Sequence, residues 1–243
     1  MFNAGDIIDG HTICLKALVG SHNYNLDTPE SDKDYKYFVW PTFDDLYDNE
    51  MYHKEVVTDT EDYTIHDIRK LPMLLWKANL NFIEILYSRE LTGDSNLLKY
   101  LKENRKKLAT MNLPRLYMAA MNMSLDKEKQ MTKDSPARHE AIQKYGFDPK
   151  SACHAYRVLD FMRKYCETRS MRQAFWYADA PDNLLMFIKQ GKVPLQTIKE
   201  LLNNSRETIT MFAQEILLEA PQNKGAYEAF QHWLKEAVRI KLD

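Results

Sequence analysis

The chain has 243 residues, 44% of them hydrophobic, and a formal net charge of −2. That supply of apolar side chains supports a buried core and excludes wholesale disorder, while the near-neutral balance argues against a dedicated DNA binder. Three separated cysteines, Cys14, Cys153 and Cys166, fit a reducing compartment and lack the close pairs of a zinc site. Acidic residues stand where a signal peptide carries basic ones, and no apolar run reaches bilayer length, so a soluble, cytoplasmic chain with no membrane partner is expected.

In chain order, Leu15 to Val19 reads as an apolar strand ending at Gly20-Ser21. The Asn, Asp, Pro and Ser of the next segment mark a turn-rich connection, and Asp34 to Trp40 is an aromatic, β-branched strand stopped by Pro41. A further strand is predicted around Asp62 to His66, and from Ile68 the pattern turns helical, with Pro72 tolerated near the helix start.

Beyond residue 95 the periodicity is helical almost throughout. Asp94 or Ser95 caps one helix, Pro114 begins another, and Asp148-Pro149 opens a strong one from Lys150 to about Tyr165. Further helices are predicted from Asp182 to Gln190, from Pro194 through Ile216, and from Ala226 to Ile240. Acidic residues dominate from Asp27 to Asp67 and basic ones from Lys99 to Arg172, which suggests a carboxylate site and a basic wall, or simply solvated faces.

Chemistry concentrates between Gly20 and Asp34. On a strand, residues two apart point to the same face, so Asp32 and Asp34 present their carboxylates side by side while Lys33 and Tyr35 point away. Two such groups repel unless a divalent cation joins them, and oxygen ligands suit Mg2+, with Mn2+ as an alternative. A cation pair would grip a nucleoside triphosphate and activate a hydroxyl for in-line displacement at the α-phosphorus. A third carboxylate is then required. Asp62 is the first choice, with Glu84 and Asp67 in reserve. Gly20 permits close approach of backbone to phosphate, and Ser21 offers a hydroxyl. Lys70 has a phosphate-facing or carboxylate-pairing role, and Glu84 would position Lys70 or Arg69. On the later helix Lys150, His154 and Arg157 share one face, pointing either to phosphate or to an intramolecular network. Cys153 and Cys166, without a sequence-local partner for nucleophilic catalysis, read as structural.

The run GSHNYNLDTPESDKDYK resembles the polymerase-beta-like nucleotidyltransferase superfamily, and more narrowly a predicted nucleotidyltransferase family with the pattern Gly-Ser-x-x-Tyr-Gly-Leu-x-Thr-Pro-x-Ser-Asp-x-Asp. Asn25 replaces its central glycine, and asparagine also tolerates left-handed backbone. His66 to Leu71, Asn79 to Leu86 and Lys150 to Arg157 resemble later segments of the family, with Leu80 where proline is usual. The resemblance implies an α+β fold: a polymerase-beta-like mixed sheet with a substantial C-terminal helical extension, divided as a catalytic core (1–95) and a packed helical part (96–243). It implies transfer of a nucleotidyl group to an RNA, protein or small-molecule acceptor. The competing reading is a noncatalytic nucleotide sensor or protein-interaction module on the same fold. The resemblance puts the phosphate-facing reading of Lys150, His154 and Arg157 on a par with the intramolecular network.

Overall fold

A computed structural model describes residues 2–29, 31–57, 61–177 and 183–242. The chain forms two compact units, Met1–Asn112 with Pro221–Asp243, and Leu113–Ala220. The fold is α+β, a mixed sheet followed by extensive C-terminal helices.

In the first unit a short strand, Ile7–Ile8 (β1), turns at Asp9-Gly10 into the long strand His11–Val19 (β2). Both turn residues have positive φ, as a two-residue hairpin turn of matching twist requires. A five-residue helix, Gly20–Tyr24 (α1), precedes Lys33–Val39 (β3). The helix Phe43–Tyr47 (α2) carries a reciprocal cap between Thr42 and Asp45 and leads to His53–Val57 (β4) and Glu61–Asp67 (β5). Two short helices follow, Leu71–Trp76 (α3) and Leu80–Ile83 (α4), then Leu91–Gly93 (β6) and the helix Ser95–Ala109 (α5), capped by Asp94. Helical structure thus takes over at residue 95, where the periodicity changes.

The sheet order is β1-β2-β3-β5-β4, with β6 also paired to β2. All pairings are antiparallel except β3 with β5, which is parallel. Alternation sorts β3 and β5 into two faces. One carries Tyr35, Tyr37, Val39 and Ile65, which join Ile8, Ile13 and Leu18 in a buried cluster. The other carries Asp34, Lys36 and Phe38 beside Asp62, Thr64 and His66. The C-terminal helix, Lys224–Leu242, returns to this unit, stacking Phe230 and Trp233 on Tyr100 and setting Lys241 2.9 Å from Asp94.

The second unit is helical: Leu113–Met131 (α6), His139–Tyr145 (α7), Pro149–Thr168 (α8), Met171–Phe175 (α9), Leu184–Lys189 (α10) and Leu195–Ala213 (α11). The apolar stripe of α8, including Ala152, Ala155, Val158, Leu159 and Met162, is buried in its centre. Asp148 caps α8 by accepting from the N–H groups of Lys150 and Ser151, with Pro149 in the first turn. Asn183 caps α10, and Asp182, expected to begin that helix, lies outside the described residues. The helix opened by Pro194 continues into a π-helical turn over Gln214–Leu218, which covers the expected extension through Ile216.

Candidate functional site

The parallel ladder makes Asp34 and Asp62 register partners, with Lys36 opposite Thr64 and Phe38 opposite His66. On the far side of β5 the edge strand β4 sets Val57 opposite Asp62, Glu55 opposite Thr64 and His53 opposite His66. This face therefore runs from carboxylates, through a lysine and a hydroxyl, to imidazoles. His53, Glu55 and Val57 are exposed, whereas Asp34, Lys36, Asp62, Thr64 and His66 are half-buried. Phe82 of α4 closes one side, with its ring 5.5 Å from that of His66 and from the Lys36 ammonium.

Two polar atoms on this face, Asp62 Oδ1 and Thr64 Oγ1, are buried without a hydrogen-bond partner among the described residues. Such atoms forgo their hydration, a cost that bound ligand atoms can offset. At the imidazole end the His53 and His66 rings stack at 4.8 Å. Burial, with the charges of His53, Lys36 and Lys70, pulls His66 down to about 4, so its ring is neutral near pH 7.

The turn after β2 abuts the carboxylate end. Val19 is the register partner of Asp34, and Gly20 follows with φ +72°. A Cβ at Gly20 would lie 2.2 Å from Asp34 Oδ2, so glycine is required both by backbone conformation and by the carboxylate. The Gly20 N–H donates to Glu84 Oε2 at 3.2 Å. Asn25 closes α1 in the left-handed conformation (φ 65°, ψ 40°), as its place in the motif requires.

Asp32 sits differently from Asp34. Thr28 and Ser31 form a turn in which the Ser31 N–H donates to the Thr28 carbonyl and the Ser31 hydroxyl accepts from the Thr28 N–H. β3 begins only at Lys33, leaving Asp32 exposed ahead of the ladder. Strand alternation, the basis for expecting Asp32 and Asp34 side by side, therefore applies to Asp34 and Lys36 and stops short of Asp32.

The reserve carboxylates are engaged elsewhere. Asp67 is fully buried, caps a short 3-10 turn over Ile68–Lys70 and binds Arg69 at 2.6 Å, so its oxygens face a guanidinium. Glu84 is buried beside Gly20, and the acid paired with Arg69 is Asp67. Lys70 ends the 3-10 turn, near enough to His66 to depress its protonation. Leu80 occupies the first position of α4, where a proline lacking its N–H fits equally well, and Asn79 caps that helix. His22 bridges the loop, 3.0 Å from the Ser31 carbonyl and 3.4 Å from Asp27.

Among the described residues no three His, Cys, Asp or Glu side chains are disposed to hold a metal ion by themselves. Asp34 and Asp62 nevertheless suit magnesium, which is commonly held by one or two carboxylates together with water and substrate phosphates. The unpartnered Asp62 oxygen is the observation that favours this fit.

Within the second unit, α8 presents Lys150 to solvent and buries Arg157. His154 lies between them with Nε2 buried and unpartnered. Burial, aided by Arg157, Lys127 and Lys150, holds this imidazole well below its ordinary range. Cys153 donates to the Leu185 carbonyl, and burial pushes its thiol up to about 11; burial likewise raises the Cys14 thiol well above its ordinary range. Burial raises Cys166 too, so Cys153 and Cys166 are not activated nucleophiles, in keeping with the structural reading of those two cysteines. Lys36, Thr64 and His66 are the site-facing residues that the motif did not reveal. Two-residue alternation from Asp34 and Asp62 would have found them.

No family model matches the chain, and no curated protein matches it. Among solved structures, a nucleotidyltransferase-like protein from Exiguobacterium sibiricum 255-15 is similar at 12% identity, covering 94% of this chain and 69% of that one, with a TM-score of 0.28. A superposition that loose adds nothing to what the residues themselves support. Among the described residues no helix is long and apolar enough to cross a membrane.

Proposed function

We propose that the chain is a magnesium-dependent nucleotidyltransferase, moving a nucleotidyl group from a nucleoside triphosphate to an RNA, protein or small-molecule acceptor. The observation that carries the reading is the pairing of Asp34 with Asp62 across parallel strands, with a buried Asp62 oxygen unpartnered beside the Gly20-Ser21 turn. Asp34 and Asp62 would hold Mg2+, or Mn2+ in its place; Asp32, exposed ahead of β3 and in no three-acid cluster with them, would be a supplementary ligand from that segment. When bound, the metal neutralises phosphate charge and lowers the pKa of an attacking hydroxyl.

The remaining roles belong to the chain. Ser21 donates its hydroxyl to a terminal phosphate, while Glu84 fixes the turn by holding the Gly20 N–H. Lys70 offsets phosphate charge at the other end of the sheet face. In the second unit, Lys150, His154 and Arg157 are phosphate-binding residues of α8. The catalytic core comprises residues 1–95, and the compartment is cytoplasmic.

The test is incubation with each α-labelled nucleoside triphosphate, Mg2+ or Mn2+, and separate RNA and protein pools. Label incorporated with release of pyrophosphate is the expected result. Asp34→Asn and Asp62→Asn should each reduce incorporation by about 100-fold or more, as loss of an electrostatic transition-state contact does. Undiminished transfer by both folded variants would refute the mechanism.

A further inference from the structure

The carboxylate pair occupies one end of its sheet face. One step along each strand stand Lys36 and Thr64, opposite each other in the ladder and on the same face as Asp34 and Asp62. The Thr64 hydroxyl is buried with no hydrogen-bond partner among the described residues. The Lys36 ammonium lies over the Phe82 ring and, among the described residues, forms no ion pair with a carboxylate. A hydroxyl donor and a cation left without an acceptor, adjacent in a half-buried face, match the oxygens of a phosphoryl group.

We propose that Lys36 and Thr64 form an oxyanion subsite that binds a phosphoryl group of the substrate next to Asp34 and Asp62. Nearby charges support it. His66, two residues along β5 from Thr64, is lowered chiefly by burial and then by nearby His53, Lys36 and Lys70, so Lys36 is joined by a second lysine in this region and the neutral ring brings no negative charge. Glu55, the neighbour of Thr64 on β4, is the opposing charge, and it is exposed to solvent on the sheet edge. Phe82 confines the lysine stem. The inference rests on the nucleotidyl-transfer reading only for the source of the phosphoryl group, which is either the nucleotide or a phosphate-bearing acceptor end.

The experiment uses the full chain. Titration calorimetry follows ATP in one arm and an RNA dinucleotide with a 5′-monophosphate in the other, while Mn2+ binding is read separately by electron paramagnetic resonance. Thr64→Val keeps side-chain shape and removes only the hydroxyl. Lys36→Met keeps the stem over Phe82, and Lys36→Arg restores the charge.

Both loss variants should weaken at least one phosphoryl probe by about 10-fold, as removal of one hydrogen bond to a charged group does, with Mn2+ binding unchanged and Lys36→Arg close to the original. Loss confined to ATP assigns the group to the nucleotide, and loss confined to the dinucleotide assigns it to the acceptor. Thr64→Val should melt no lower than the original chain, so weaker binding cannot be ascribed to unfolding. Probes bound equally by Thr64→Val, Lys36→Met and the original chain would overturn the subsite, as would a chain that binds neither probe. In that last case Mn2+ binding that depends on Asp34 leaves the carboxylate reading standing. Mn2+ binding indifferent to Asp34, with phosphoryl binding sensitive to Thr64, removes the carboxylate reading and keeps the subsite.

Discussion

Gly20→Ala tests the carboxylate end of the site with two separable costs. The first is backbone: at φ +72° an alanine sits in left-handed geometry, disfavoured by about 1–2 kcal/mol. The second is steric, because the new Cβ falls 2.2 Å from Asp34 Oδ2. The carboxylate must swing aside, which adds about 1 kcal/mol if it leaves its rotamer well. Gly10, in the same unit at φ +80° with nothing near its missing Cβ, isolates the first cost. Gly10→Ala should therefore lower stability by about 1–2 kcal/mol and Gly20→Ala by about 2–3 kcal/mol in urea unfolding followed by circular dichroism. In an Asp34→Ala background, which removes the colliding oxygens, the two substitutions should cost the same. Mn2+ affinity should fall in Gly20→Ala and not in Gly10→Ala. If Gly20→Ala costs no more than Gly10→Ala in the native background, the close packing of Gly20 on Asp34 is wrong.

Two further perturbations address the same unit. His66 is held at about 4 against an ordinary 6.5, so below pH 6.5 the unfolded chain takes up protons that the folded chain refuses. The stabilising difference is complete above pH 6.5 and is lost as pH falls toward 4. Its ceiling is about 3 kcal/mol, reduced to about 1–2 kcal/mol by solvent screening of a half-buried ring. Comparing urea midpoints at pH 7.5 and 5.0 for the original chain and His66→Phe checks this, since the substitution should flatten the slope. Asp67→Asn leaves the Arg69 guanidinium facing a neutral amide at a fully buried position and should cost about 3 kcal/mol in the same assay; a cost under about 1 kcal/mol would show the pair to be dispensable.

Legibility from sequence followed the range of the interactions involved. The cap at Asp94, the Asp148-Pro149 helix start and the left-handed Asn25 depend on neighbours within a few residues, and each was visible in the chain. The pairing of Asp34 with Asp62 depends on a parallel ladder between strands separated by β4, and no local pattern fixes that register. Alternation was readable along β3, yet its starting point was not, because the turn at Thr28–Ser31 delays the strand beyond Asp32. Likewise, the assignment of Arg69 to Asp67 rather than Glu84 follows from a 3-10 turn that brings residues two apart into bidentate contact.

Two buried oxygens on successive same-face positions of β5 bear on what the sheet face can bind. On β5 the Ile65 side chain, pointing to the opposite face, enters a cluster made largely of apolar side chains. Asp62 and Thr64, flanking it in sequence and directed the other way, each bury an oxygen that meets no partner. An unmet buried polar group costs about 1–3 kcal/mol, a large share of a typical domain's stability of about 5–15 kcal/mol. Two of them on successive same-face positions of one strand raise the free energy of the empty site. A ligand supplying oxygen-bound cation at Asp62 and phosphoryl oxygen at Thr64 would relieve both at once, so binding there gains more than it would on a face already paired. On this argument Thr64→Val improves folding and impairs binding together, whereas a threonine with only a packing role would leave binding untouched.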